Sequence, residues 1–134
     1  MSERLDRRLD AFGRALDRLD EALGIPPDAP LALDGTIQRF EFAFELAWKT
    51  LKDALTVEGV DARTPRESLR EAFGAGWLES EAVWLEMLSD RHRSSHIYDE
   101  AAAVEIYARV RGYAPVLRRA HAVVRERSDG AGSS

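Results

Sequence analysis

Cysteine is absent from this 134-residue sequence, so neither a disulfide framework nor a thiolate metal site can form. No apolar run approaches the roughly 18–20 residues that a membrane-spanning helix needs. The first six residues carry several charges where a secretory signal peptide would be apolar. We therefore predict a protein without membrane contact that stays in the reducing cytoplasm where it is made.

Lysine is scarce: of the 19 basic residues only Lys49 and Lys52 are lysines, and the others are arginines. The 24 acidic residues outnumber the basic ones and give a formal net charge of -5. This balance argues against non-specific adhesion to nucleic acid through a global basic field, although a local basic site remains compatible with it.

Strand-like alternation and internal repeats are also missing, whereas helical periodicity is clear. The first segment carries an apolar seam at helical spacing, formed by Leu5, Leu9, Phe12, Leu16, Leu19 and Leu23. Gly24 and the Pro26-Pro27 pair end it. A seam this narrow occurs in coiled coils and in ordinary bundle helices, and we favour the bundle helix.

The second predicted helix is capped by Asp34 and ends near Gly59. One apolar stripe comprises Ile37, Phe40, Phe44, Trp48, Leu51 and Leu55. Phe42 and Leu46 lie on a different face. A helix that is apolar on two faces is either central in a bundle or shared with a partner.

Three further helices are predicted. The stretch 64–67 is a capping box with Pro65 in the first helical position, and it opens a short helix with Leu69 and Phe73 inward. The fourth helix starts near Ser80. The fifth starts at Asp99 or Glu100, is kinked or broken at Pro115, and has an inner face formed by Val104, Tyr107, Val110, Tyr113 and Leu117. The prediction is an all-α antiparallel bundle over residues 1–127, followed by a disordered tail, 128–134.

The segment between the fourth and fifth helices concentrates the residues that could do chemistry. It reads Asp90-Arg91-His92-Arg93-Ser94-Ser95-His96-Ile97-Tyr98-Asp99. A His can exchange a proton with a ribose 2′-hydroxyl or a leaving oxygen, an Arg can hold the scissile phosphate, and a phenol can stack on a base. These residue types suit RNA cleavage without a metal ion, because the substrate supplies the nucleophile.

Spacing alone does not assemble that site. On an unbroken helix Arg91 and His96 would lie about 140° apart. They converge if the helix ends between them or if a second subunit supplies the other half. The segment therefore indicates a dimer with two copies facing one cleft.

Two other interpretations of the segment remain open. In an interhelical turn, Arg91 and Arg93 would satisfy terminal carbonyls, and on residue chemistry alone this arrangement is the commoner one. A metal site is weaker, because the His92 and His96 pair is incomplete and Arg91 and Arg93 would repel the ion. We predict no metal and no cofactor.

Other polar candidates have structural explanations. Glu45 and Lys49, four residues apart, are expected to pair on one helix face, and His121 is expected on a solvated face. Trp77 and Trp84 are expected in the core rather than as platforms for stacking bases.

A resemblance covers about residues 5–125. The stretch 34–52, with its Phe-Glu-Phe-Ala-Phe-Glu-Leu-Ala-Trp-Lys core, strongly resembles the signature helix of the nucleotidyltransferase substrate-binding protein family, part of the HEPN superfamily. The stretches 64–73 and 84–91 match it too. The resemblance implies a four- or five-helix up-and-down bundle that dimerises, with a minimal nucleotidyltransferase as partner.

The resemblance also implies roles for the motif. In HEPN ribonuclease toxins the working pattern is Arg, four residues, His, one residue, Tyr, which falls on Arg91, His96 and Tyr98. Arg91 and His96 would be the catalytic pair, and Tyr98 would receive AMP from the partner. Asp90, Arg93 and His92 would support the site, with His92 where the superfamily commonly has Asn.

Two functions are therefore expected. The first is a toxin of a toxin–antitoxin pair, a metal-independent endoribonuclease acting on RNA through a composite dimer site and neutralised by the transferase. The alternative is a non-catalytic subunit that binds substrate or nucleotide for a nucleotidyltransferase complex.

Overall fold

Helices make up all the regular structure in residues 2–96 and 100–133, which the computed structural model describes. They are α1 (Glu3–Leu23), α2 (Ala32–Val57), α3 (Pro65–Gly74), α4 (Glu81–His96) and α5 (Glu100–Ser133). In this part of the chain no helix is long and apolar enough to cross a membrane. The predicted all-helical bundle is confirmed.

Helix α1 follows the predicted seam. Ser2 caps it by accepting a hydrogen bond from the Leu5 backbone N–H at 3.1 Å. The first five residues of the seam, from Leu5 to Leu19, are buried, and burial of each such side chain stabilises the fold by about 1.5–3 kcal/mol. The seam therefore packs into the bundle core.

Helix α2 is the central helix, because it contacts each of the other four. It begins at Ala32, earlier than the predicted cap at Asp34, because the Gly35 backbone N–H already bonds to the Leu31 carbonyl at 2.9 Å. Leu31 takes the left-handed conformation there, with φ 66°. The second apolar face remains partly open, since Phe42 is 52% exposed.

The start of α3 confirms the predicted capping residues. Thr64 Oγ1 accepts from the Glu67 N–H at 3.1 Å, and Glu67 Oε2 accepts from the Arg63 N–H at 3.0 Å, one residue before the cap. The prediction that Phe73 points inward is wrong, because Leu69 and Ala72 occupy the inner face and leave Phe73 exposed. Trp77 and Trp84 are buried, as predicted.

Helix α5 departs from the predictions at three places. Of the two predicted effects of Pro115, a kink or a break, the break does not occur, and the exposed position of this proline lets water hydrate the carbonyl that lacks its helical donor. Val104 is exposed, because Ala102 and Ile106 face the core instead. The helix continues to Ser133 through residues predicted to be disordered, with Ser128 Oγ 3.3 Å from Asp6 Oδ1 of α1.

His121 lies between α5 and α1 rather than on a solvated face, which corrects the prediction for this residue. Its Nε2 lies 2.9 Å from the Leu9 carbonyl and therefore donates to it. The ring contacts the edge of Phe12 at a centroid distance of 5.2 Å. Gly13 leaves room for this ring, since a Cβ there would lie 3.3 Å from His121 Nε2.

Candidate functional site

The motif Arg and the motif His belong to one unbroken helix. Helix α4 runs from Glu81 to His96 without ending after Arg91. The first of the two arrangements that could bring the pair together, a helix end between them, is therefore absent. The side chain of His96, the predicted modification site Tyr98 and Asp99 lie outside the described residues.

Arg91 is held against the central helix. Its Nη2 donates a hydrogen bond to Glu45 Oε2 at 2.9 Å, and its side chain is 34% exposed. Lys49 Nζ lies 3.4 Å from the other oxygen of Glu45, which confirms the predicted pairing of these two α2 residues. Glu45 thus fixes the direction of the Arg91 guanidinium while leaving part of it open to solvent.

Asp90, one residue earlier, faces α5 instead of α2 and is buried. Its side chain is only 3% exposed, and its carboxylate receives a bidentate bond from Arg109, with Nε to Oδ2 at 2.8 Å and Nη2 to Oδ1 at 2.7 Å. The hydroxyl of Tyr113 donates to Asp90 Oδ2 at 2.5 Å. Both partners come from α5, so Asp90 ties α4 to that helix.

The electrostatics of this cluster keep Asp90 ionised. Burial alone would raise the pKa of Asp90, but the hydrogen bonds from Arg109 and Tyr113 and the charges of Arg109 and Arg93 outweigh burial and lower it. The pKa of Tyr113 is strongly raised, first by burial and then by the carboxylates of Asp90 and Glu86. Tyr113 is therefore a neutral hydrogen-bond donor and not a proton donor in acid–base chemistry.

Arg93 and His92, the other supporting residues, lie at the surface of the last two turns of α4. Arg93 Nη2 is 3.4 Å from Glu105, and its Nη1 is 3.7 Å from Asp90. His92 is exposed. Ser94 Oγ donates to the Arg91 carbonyl at 2.9 Å, which supplies a donor near the end of the helix.

An open cleft of about 1070 Å³ lies at this end of the bundle. Its walls come from the connection between α1 and α2, from the first turns of α2 and α5, and from Arg93 and Ser94 of α4. The polar side chains among its described lining are Asp34, Gln38, Glu41, Arg93, Ser94 and Glu100. Carboxylates outnumber cations in this set, so the cleft suits groups with hydrogen-bond donors better than bare phosphates.

Metal-binding geometry does not occur in the described part of the chain, where no three His, Cys, Asp or Glu side chains meet in a group that could hold an ion. His92 and His96 keep their four-residue spacing on α4, but Arg91 and Arg93 occupy the same turns. The Asp90 carboxylate is already committed to Arg109 and Tyr113.

The sequence interpretation missed Arg109 as part of this site and treated Tyr113 only as a core residue. The available signal was their four-residue spacing on one face of α5, which also carries buried Val110. A basic and a phenolic side chain on a core-facing stripe require a buried acceptor. Nothing in local spacing identifies that acceptor as Asp90, 19 residues earlier.

The chain is similar to a curated protein in sequence and to a solved structure in fold. A curated protein of Haemophilus influenzae named probable ribonuclease HepT is 33% identical over 81 residues, which cover 57% of this chain and 56% of that protein. The chain thus matches little more than half of that relative's length. A crystal structure of a protein from Thermus thermophilus superposes with a TM-score of 0.80 at 32% identity, over 85% of this chain and 98% of that chain.

The family assignment rests on most of the chain. Residues 7–126, which include all of α2, α3 and α4 and most of α1 and α5, match the family described as nucleotidyltransferase substrate binding protein like. The resemblance of the α2 signature and of the capped α3 start is confirmed by this match. The chain belongs to the nucleotidyltransferase substrate binding protein-like family.

Proposed function

We propose that this chain is a metal-independent endoribonuclease, the toxin of a toxin–antitoxin pair, and that two copies form its catalytic site. Arg91 and His96 are the catalytic residues of the proposal. The name of the Haemophilus relative supports a ribonuclease activity. Glu45 orients the Arg91 guanidinium while 34% of the side chain stays exposed, which supports contact of Arg91 with a phosphate.

The proposed reaction is an intramolecular transesterification, in which a ribose 2′-oxygen attacks the neighbouring phosphorus. His96 of one copy accepts the 2′-hydroxyl proton, and the 2′-oxygen forms a bond to phosphorus as the bond to the 5′-oxygen breaks. The products are a 2′,3′-cyclic phosphate and a 5′-hydroxyl, whose proton comes from the imidazolium or from water. Arg91 offsets the charge that builds on the phosphate oxygens.

The observation that carries the proposal of a shared site is the continuity of α4. With four residues between them on a regular helix, positions 91 and 96 of one copy lie about 140° apart around the axis. On a single helix, positions this far apart around the axis do not face a common phosphate. A second copy that presents its own α4 brings an Arg from one chain to a His from the other.

Mixed dimers test this arrangement directly. Chains carrying Arg91→Ala and chains carrying His96→Ala receive different affinity tags, and the heterodimer is isolated by two successive purifications. It holds one site with both residues intact, so we expect about half of the wild-type cleavage rate, whereas each mutant homodimer is inactive. The rate is measured on a fluorescent RNA oligonucleotide in the presence of a metal chelator.

The matched control pairs Arg91→Ala with a chain that carries both substitutions, because that heterodimer has no intact site. If the test heterodimer is as inactive as this control, Arg91 and His96 of the same chain form each site, and the shared site is overturned. Growth arrest on induction of the wild type, lost in His96→Ala, is the expected result in cells.

The partner of the proposed toxin is a minimal nucleotidyltransferase that neutralises it by transferring AMP to Tyr98. This part of the proposal rests on the family assignment, since Tyr98 lies outside the described residues. Incubation with the transferase and ATP should add the mass of one AMP to the wild type and none to Tyr98→Phe. Cleavage activity of the modified protein should fall accordingly.

A second candidate function, a non-catalytic subunit that binds substrate or nucleotide for the transferase, is favoured by one observation. Asp34, Glu41 and Glu100 line the cleft beside the motif, and carboxylates repel phosphates, so the cleft favours a substrate bound through its hydrogen-bond donors over cleavage of an RNA backbone. Under this function the wild type causes no growth arrest and cuts no RNA, yet it still binds the transferase in a pull-down experiment.

A further inference from the structure

The last turns of α4 are attached to the bundle on two sides. Asp90 is bound to Arg109 of α5, whereas Arg91, the next residue, is bound to Glu45 of α2. Consecutive residues on a helix project about 100° apart. Two attachments in different directions fix the rotation of this part of α4 about its own axis.

Tyr113 joins this attachment to the core. Its ring stacks on Phe40 of α2 with a centroid distance of 5.4 Å, and its hydroxyl reaches Asp90. The same hydroxyl lies 2.9 Å from Glu86, one turn earlier on α4. A rigid, stacked ring whose tip contacts two successive turns resists both rotation and sliding of α4.

We propose that Arg109 and Tyr113 are positioning residues for Arg91. They act through Asp90, whose buried carboxylate transmits the position of α5 to the turn of α4 that carries Arg91. This inference rests on the proposed function, in which Arg91 contacts the scissile phosphate. The chemistry of the arrangement suits that task, because a bidentate guanidinium–carboxylate pair constrains direction as well as distance.

The test compares two arginines of the same helix, Arg109 and Arg118. Arg118 also pairs with carboxylates, Asp17 and Asp20, but those belong to α1 and are exposed. Arg109→Gln and Arg118→Gln remove the same charge from α5. We expect Arg109→Gln to lower kcat at saturating RNA by about 10–100-fold, because small displacements of a catalytic group are costly. Arg118→Gln should leave kcat unchanged.

The measurement of kcat is made well below the melting temperature of each variant, with folding verified by circular dichroism. A merely structural role would lower the melting temperature of Arg109→Gln and leave the kcat of the folded protein unchanged, and this result would overturn the proposal. Tyr113→Phe keeps the ring on Phe40 and removes only the hydroxyl, so it provides a second variant if Arg109→Gln fails to fold. Its kcat should fall by a smaller factor.

Amide hydrogen exchange gives a readout that does not need cleavage. Faster exchange confined to residues 91–94 is expected in Arg109→Gln, and unchanged exchange there is expected in Arg118→Gln. Unchanged exchange at residues 91–94 in Arg109→Gln would overturn the proposal. If the wild type cuts no RNA while the exchange result holds, the ribonuclease proposal fails and the attachment of α4 by Arg109 stands.

Discussion

Helix α5 uses different kinds of ion pair in its contacts with α1 and with α4. Against α1 its arginines pair with surface carboxylates, as in Arg125 with Asp10 at 2.6 Å and Arg118 with Asp20 at 2.5 Å. Against α4 its main partner is Asp90, a carboxylate of α4 that is buried and bonded to both Arg109 and Tyr113. Exposed pairs contribute about 0–1 kcal/mol each, whereas removal of one partner from a buried pair is strongly destabilising.

The two contacts of α5 are stabilised in different ways. At the contact with α1 the seam residues Leu9 and Phe12 are buried and the Phe12 ring meets the His121 ring of α5, so we expect that the surface charges can change without great effect. The polar part of the contact with α4 centres on Asp90, which bonds to both Arg109 and Tyr113. A substitution at Asp90 should therefore disturb this contact more than a substitution at one surface carboxylate disturbs the contact with α1.

The largest expected effect comes from Asp90→Ala. This change leaves the Arg109 guanidinium and the Tyr113 hydroxyl without their common acceptor, and we expect a loss of about 2–3 kcal/mol in the free energy of unfolding. The estimate is below the roughly 3–5 kcal/mol of fully buried pairs, because the Arg109 side chain is 32% exposed. Urea unfolding measures the loss, and Asp20→Ala is the control, with an expected change of at most about 0.5 kcal/mol. Equal losses in both variants would remove the distinction between the two contacts.

The pH dependence of the free energy of unfolding distinguishes the buried carboxylate, Asp90, from the exposed carboxylates of α1. The folded protein holds the pKa of Asp90 below its ordinary value, so the unfolded chain takes up a proton on this group at a higher pH than the folded protein does. The stabilisation is therefore fully present above about pH 4 and is lost as the pH falls through the folded pKa. The difference in unfolding free energy between wild type and Asp90→Asn should stay constant from about pH 7 to pH 5 and narrow below about pH 4. A constant difference down to the acid limit of folding would contradict this assignment.

The smallest expected effect tests whether packing holds the contact with α1. Both Gly13 in α1 and Gly112 in α5 lie inside helices, where Ala is favoured by about 0.5–1 kcal/mol. A Cβ at Gly112 meets nothing within 4 Å, whereas a Cβ at Gly13 lies 3.3 Å from the His121 ring, which is bonded to the Leu9 carbonyl. Gly112→Ala should raise the free energy of unfolding by that amount, and Gly13→Ala should give a smaller gain or a loss. Equal gains would mean that the His121 ring moves freely and that packing here is loose.

Much of the fold could be predicted from the sequence, because apolar spacing and helix capping depend on residues that are close together in the chain. The apolar spacing of α1 places Leu9 and Leu16 in the core, and the box that starts at Thr64 fixes the beginning of α3. Val104 and Phe73 were misplaced because several apolar residues compete for a narrow inner face, and neighbouring helices decide which of them is covered. The phase of a helix against its neighbours is a tertiary property.

The candidate site was predictable in its residue types but not in its connections. One short segment suffices to propose Arg91 and the residues around it as candidates. The partners that hold the segment, Glu45 and Arg109, lie 46 and 18 residues from Arg91 and come from different helices. Such pairs depend on how the helices cross, which no spacing within one helix encodes.

The attachment of neighbouring residues Asp90 and Arg91 to different helices sets a rule for changes in chain length. One residue inserted in α4 before Asp90 would turn both side chains by about 100° and separate each from its acceptor or donor at once. The connection between α1 and α2, which the structure describes throughout, has no such double constraint. We therefore expect insertions to be tolerated in that connection and not in the middle of α4. The number of residues between the start of α4 and Asp90 is fixed by the two attachments.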